Sequence, residues 1–269
     1  MSRPYCQFPL CALSFGEDVK DRLRCILAYS AVQMGLVLWG EYTVEQQEYF
    51  RAHPPEWCKS KLKRDLHLQI AIGCEELGIE PPPLSFVSDD YLALDEFVDK
   101  WEQEYGPDAR VRIVIDWVFE ALHGTGISYD ELAVVAAIYS KIGSKQGPVR
   151  ITREEIWRRS LGYKCERAFN EDTDGYGFSR TARQVRDLID QLANRNFFAR
   201  VTFARRETYY SNRLSVIELS EQIREAKVYR ARARQARIAR NAELTRRIQL
   251  ERRKRAGGNA TDGAADTPL

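Results

Sequence analysis

Apolar residues recur at nearly every third or fourth position through residues 18–38, at Val19, Leu23, Ile26, Leu27 and Ser30/Ala31. That period predicts a helix with one buried face. Within it, residues 25–40 (CILAYSAVQMGLVLWG) are the longest apolar stretch without a charge. The stretch reads as too short to span a bilayer, with Asp21, Arg22, Arg24 and Glu41 close around it, and predicts a buried core helix, with continuation into a strand as the alternative. Residues 59–77 repeat the helical period with Leu62, Leu66, Ile70 and Gly73/Cys74, and Gly78 follows as a stop signal. Pro81-Pro82-Pro83 marks a break. A third helix is predicted over 91–105, with Leu94, Phe97, Val98 and Trp101 on one face and Gly106-Pro107 after it. Residues 1–105 therefore read as mostly helical. Residues 111–122 (VRIVIDWVFEAL) are dense in β-branched and aromatic side chains, and periodicity leaves strand and helix both open.

Punctuation sharpens in the second half. Ser128 is a good N-cap, with Asp130 and Glu131 in the first turn, where the helix dipole favours anions. The helix it opens runs to Gly143. After the Gln146-Gly147-Pro148 loop, residues 149–151 predict a brief strand. Thr152 and Glu155 have the spacing of a capping box, opening a helix that holds Ile156, Trp157 and Leu161 and ends at Gly162. A polar insertion, 163–178, precedes Ser179, which is read as the cap of a third helix over 180–195. Val185, Leu188, Ile189 and Leu192 give that helix an apolar stripe. Residues 197–203 (FFARVTF) and 208–214 (TYYSNRL) predict two strands joined by Ala204-Arg205-Arg206-Glu207.

Charge divides the chain. Residues 1–127 carry 12 Lys and Arg against 21 Asp and Glu, a net of −9, whereas residues 150–255 carry 27 against 14, a net of +13. Such asymmetry predicts that only the second half meets a polyanion. With 44% hydrophobic and 30% charged residues, the composition is that of an ordinary globular protein. The start lacks the basic and apolar regions of a secretory leader, so a cytoplasmic location is expected. The six cysteines (Cys6, Cys11, Cys25, Cys58, Cys74, Cys165) form no C-x-x-C pair, and His53, His67 and His123 are scattered. Reduced thiols are expected and a zinc site is not.

The order helix, short strand, helix, helix, hairpin over about 128–215 resembles the winged helix-turn-helix fold of MarR-type regulators and plasmid replication initiators. The link between the second and third helices departs from that fold's tight turn. The resemblance implies that the third helix packs one face on the domain and offers the other to the major groove of duplex DNA. Arg180, Arg183, Gln184 and Asp187 are then the expected base contacts, because arginine and glutamine match guanine and adenine edges. Asp187 and Asp190 either hold arginines in position or accept from cytosine. The hairpin would act as the wing, with Arg205 and Arg206 at its tip and Arg200, Tyr210 and Arg213 toward the DNA backbone. Tyr209 and Tyr210 are adjacent on a strand, so one of them should face the core. Read without the resemblance, the third helix is an amphipathic helix with a solvated charged face.

Residues 217–255 hold 13 basic against five acidic side chains, with no glycine or proline before Gly257. A long basic helix is expected. Its apolar residues keep no steady heptad, which argues against a long coiled coil. Residues 256–269 are expected to be disordered.

Asn170, Asp172, Asp174 and Gly175 match the first half of an EF-hand loop, but Thr181 stands where the bidentate glutamate belongs, so calcium is not expected. No nucleotide-binding loop, nucleophile elbow or zinc-protease motif is present in the sequence, so no catalytic residue and no cofactor are expected.

The fold class expected is mainly α with a small β-hairpin: a helical region over 1–127 for dimerisation, ligand sensing or protein contact, a winged helix over 128–215, a basic helix over 216–255 and a tail. The function expected is sequence-specific duplex DNA binding, as a transcriptional regulator or replication initiator, with no membrane partner. The alternative is a non-catalytic accessory subunit that grips RNA or protein.

Overall fold

The structure, a computed structural model, describes residues 5–16, 18–53, 64–78, 84–143, 145–171, 181–203 and 207–258. Asp18 opens α1 (Val19–Glu41), its carboxylate accepting from the Lys20 amide at 2.7 Å. The helix buries Leu23, Ile26, Leu27, Ala28 and Ala31 against α3 (Arg64–Leu77) and α4 (Leu84–Tyr105). A Cβ on Gly73 of α3 would sit 1.8 Å from the Ala31 carbonyl oxygen, so the two backbones cross at a point only glycine permits. Between them, α2 (Val44–Ala52) starts at a complete capping box of Thr43 and Gln46.

Among the described residues α1 alone is long and apolar enough to cross a membrane, by length and composition. The apolar stretch read from sequence as too short grows into a 23-residue helix because the helix extends beyond it on both sides. Ten of the 23 residues are buried within the protein, which is how a core helix passes the same test.

The N-terminal region is less purely helical than its sequence predicts. β1 (Tyr5–Pro9) pairs antiparallel with β2 (Arg110–Val114), with Cys6 opposite Ile113 and Phe8 opposite Val111. Those four side chains are buried on the inner face. Arg112 faces outward over the Tyr5 ring, at 4.6 Å from its centroid. The segment 111–122 is thus both things its composition allowed, a strand to Val114 and then α5 (Ile115–His123). Gly124, at φ 70°, closes α5 in the left-handed conformation.

Ser128 and Glu131 form a complete capping box at the head of α6 (Tyr129–Ile142), the helix at the centre of the buried cluster. The chain continues through β3 (Val149–Arg150), α7 (Arg153–Ser160), α8 (Glu166–Glu171), α9 (Ala182–Asn194), β4 (Ala199–Phe203) and β5 (Glu207–Ser211) to α10 (Val216–Gly258). Among the described residues the protein is mainly helical, with two small antiparallel sheets. The second sheet has strand order β3-β5-β4. Here α8 occupies part of the segment read as a polar insertion; Phe169 packs against Trp157 and Tyr163, and Tyr163 against Trp101 of α4.

Residues Met1–Leu219 form one compact unit and Ser220–Leu269 a second. No break falls at 127/128: the Tyr129 hydroxyl donates to the Leu13 carbonyl and accepts from Arg22, both at 2.9 Å. One continuous cluster of buried residues runs from Cys6 to Tyr210. The described part of the second unit is the remainder of α10, and every side chain from residue 228 to residue 253 is exposed.

Candidate nucleic-acid interface

The helix α9 starts two residues later than the sequence reading placed it. Ser179, read as its cap, lies outside the described residues, and Thr181 is the N-cap. The Thr181 hydroxyl accepts from the Gln184 amide at 3.3 Å, and the Gln184 side-chain oxygen accepts from the Thr181 amide at 2.7 Å. Gln184 therefore serves the helix end as well as lying on the exposed face. Val185, Ile189 and Leu192 are buried and Leu188 is partly buried, packed toward α6 and α7. The opposite face presents Arg183, Gln184, Arg186, Asp187, Gln191 and Asn194, all exposed.

Two carboxylates on α9 hold arginines. Asp187 pairs with its neighbour Arg186 at 3.1 Å. Asp190 pairs with Arg200 of β4, tying the helix to the hairpin. Arg200 is 26% exposed and engaged, so it is a bracing group before it is a phosphate contact. Arg183 takes part in no ion pair among the described residues. Arg180, Arg205 and Arg206 lie outside the described residues, as do Asp172, Asp174, Gly175, Cys58, Leu62, the Pro81-Pro82-Pro83 break and residues 259–269.

The hairpin corrects one expected contact. Tyr210 is 1% exposed, its ring 5.7 Å from that of Phe198, and burial pushes its phenol up to about 12. It is a core residue and not part of the surface. Strand alternation turns Tyr209 to the other face, edge-on to Phe203. The strands are joined by hydroxyl contact between Thr202 and Thr208 at 3.2 Å, and Glu207 pairs with Arg150 of β3 at 3.5 Å. Arg213 is exposed, just past β5, in a turn where its amide donates to the Ser211 hydroxyl at 3.1 Å.

Beneath this surface lies a network the sequence reading assigned differently. The Thr152 hydroxyl accepts from the Glu155 amide at 3.1 Å, but the Glu155 carboxylate does not complete the box. It accepts from Lys141 of α6 at 2.7 Å and from Arg159 at 3.3 Å. Arg159, its side chain 8% exposed, also donates to the Ser140 hydroxyl at 2.9 Å. A buried guanidinium demands a partner, and the competition for Glu155 is won by charge over a backbone amide. Arg195, exposed at the end of α9, pairs with the largely buried Glu131 at 2.5 Å and lies over the Phe197 ring, while Glu131 keeps its capping box with Ser128.

One basic residue was missed. Arg153 is exposed in the first turn of α7, and its charge, with that of Arg200, acts on the Tyr210 hydroxyl, which places it beside the hairpin. A cation in a first turn opposes the helix dipole. That local misfit was the signal available in the sequence.

Burial pushes the thiols of Cys6 and Cys25 up to about 12 and that of Cys74 to about 11, and raises Cys11 as well, aided by the Asp108 charge. These thiols stay protonated at neutral pH and act as small apolar groups. Among the described residues no group of three His, Cys, Asp or Glu is placed to hold a metal ion. No family model matches the chain, and no curated protein or solved structure matches it either.

Proposed function

We propose that the chain binds duplex DNA through a winged helix-turn-helix over about 128–215, with α9 as the reading helix and the β4–β5 hairpin as the wing. The observation that carries this reading is the division of α9. Its apolar stripe is sunk toward α6 and α7, its whole outer face is polar, and Asp190 ties it to the hairpin through Arg200. The order α6, β3, α7, α9, β4, β5 and the strand order β3-β5-β4 support the fold. The departure is the stretch from Leu161 to Thr181, which holds α8 where a tight turn is usual.

On this reading Arg183 contacts bases, and Gln184 joins it by leaving its cap. Arg153 and Arg213 contact phosphates, with Arg200 bracing the wing. The basic tail adds affinity independent of sequence. Transcriptional control and replication initiation both use such a module. Selection of bound duplexes from a random pool tests the proposal, and recovery of one preferred sequence is the expected result. Recovery without preference refutes sequence reading and favours an accessory subunit that grips nucleic acid by charge.

A further inference from the structure

The exposed helix of the second unit does not carry its charge evenly. Arg230, Arg234, Arg237 and Arg240 follow one another at steps of 4, 3 and 3 residues. Such steps keep side chains on one face. At 100° and 1.5 Å per residue, the four guanidinium groups fall within about a third of the circumference and span about 15 Å of the axis. All four are exposed, and no acidic residue lies between Glu225 and Glu243. Like charges at these steps oppose helix formation. A row of anions along the face relieves that repulsion.

Arg252 returns to the same face about 18 Å beyond Arg240, but four other arginines are arranged differently. Arg224, Arg232, Arg246 and Arg253 lie roughly on the opposite side, but about 10–20 Å apart along the axis, too sparse to form a row. Arg247 donates to Glu243 at 2.6 Å. The large apolar residues Val228, Tyr229, Ile238, Leu244, Ile248 and Leu250 are exposed and point in all directions around the axis. A lipid surface or a second helix needs those residues gathered on one side, so neither fits. A polymer with closely spaced negative charges does fit, and duplex DNA carries one charge per ~1.7 Å of its axis.

We propose that Arg230, Arg234, Arg237 and Arg240 form a stripe that lies along the phosphate backbone of duplex DNA. This rests on the reading of the chain as a duplex binder and adds which face of the tail makes the contact. The test compares two full-length variants that lose the same charge. One carries Arg230→Gln, Arg234→Gln, Arg237→Gln and Arg240→Gln. The other carries Arg224→Gln, Arg232→Gln, Arg246→Gln and Arg253→Gln. Glutamine keeps nearly the helix propensity of arginine, and circular dichroism checks that helix content holds in both. Each is titrated onto one fixed duplex at several salt concentrations. The stripe variant is expected to show a slope of log affinity against log salt shallower by about 3 to 4, at ~0.9 per phosphate. The opposite-face variant should change by less than about 1. Equal changes in the two variants, or none in either, overturn the stripe and leave the duplex-binding reading standing. A parent chain with no affinity for the duplex overturns both.

Discussion

The two units of this protein hold their arginines in opposite ways. In residues Met1–Leu219 several of them are fixed to named partners: Arg159 to Glu155, Arg195 to Glu131, Arg200 to Asp190 and Arg186 to Asp187. In the second unit the arginines from 230 to 240 line an exposed helix with no acid among them. Pairing of the first kind orders side chains and fixes which few remain to meet a ligand, as Arg183 does on α9. Charge of the second kind attracts any polyanion and discriminates little. Selectivity and grip are therefore expected to reside in different units, and substitutions should separate them.

The largest effect is expected where the first unit is packed most tightly. Gly73→Ala forces a methyl group into the Ala31 backbone, and neither helix yields without repacking the core. A loss of about 3 kcal/mol is predicted, at the upper end of overpacking costs. Denaturant unfolding of the first unit measures it. A change below about 1 kcal/mol would show that the α1–α3 crossing is not tight.

Next comes the buried network. Glu155→Gln leaves Arg159 and Lys141 without their carboxylate, and a cost of about 2 kcal/mol at neutral pH is expected. Burial pushes the Glu155 carboxyl up, but Lys141 and Arg159 outweigh it and hold it below the ordinary range. A carboxyl depressed in the folded state stabilises above its unfolded pKa of roughly 4.3 and loses that contribution as pH falls through the lower folded value. The gap between parent and variant should therefore close in acid. A gap that does not change with pH would point to packing rather than charge.

A smaller effect belongs to the end of α9. Gln184→Ala opens the capping box with Thr181, and about 1 kcal/mol or less is expected, read as a lower midpoint of thermal unfolding. Arg183→Ala, one residue away and exposed, should leave that midpoint unchanged. If the two variants unfold alike, Gln184 is not working as a cap.

Much of the second half was legible because its signals are local. Ser128 as the cap of α6, the stripe Val185, Leu188, Ile189 and Leu192, and the glycine-free basic run each declare themselves within a few residues. Part of what was missed depends on partners far along the chain. β1 forms because Phe8 meets Val111, about a hundred residues away, and nothing within residues 5–9 announces that pairing. Glu155 looked like half of a capping box until Lys141 and Arg159 were placed beside it. Tyr210 and Tyr209 are indistinguishable as neighbours on a strand, and only the position of Phe198 decides which one is buried. Thr181 displaced Ser179 as the cap of α9, and the reason was in reach: Gln184 stands three residues after Thr181, the spacing a capping box requires.

The central claim is that the exposed face of α9 reads base sequence while the tail supplies charge. The most direct measurement is the affinity of parent and Arg183→Ala for two duplexes at one salt concentration, the preferred sequence from random selection and a shuffled one. A bidentate arginine contact contributes ~1–3 kcal/mol of discrimination, so the variant should lose about ten- to hundredfold on the preferred duplex and almost nothing on the shuffled one. Equal losses on both duplexes would contradict base reading by α9.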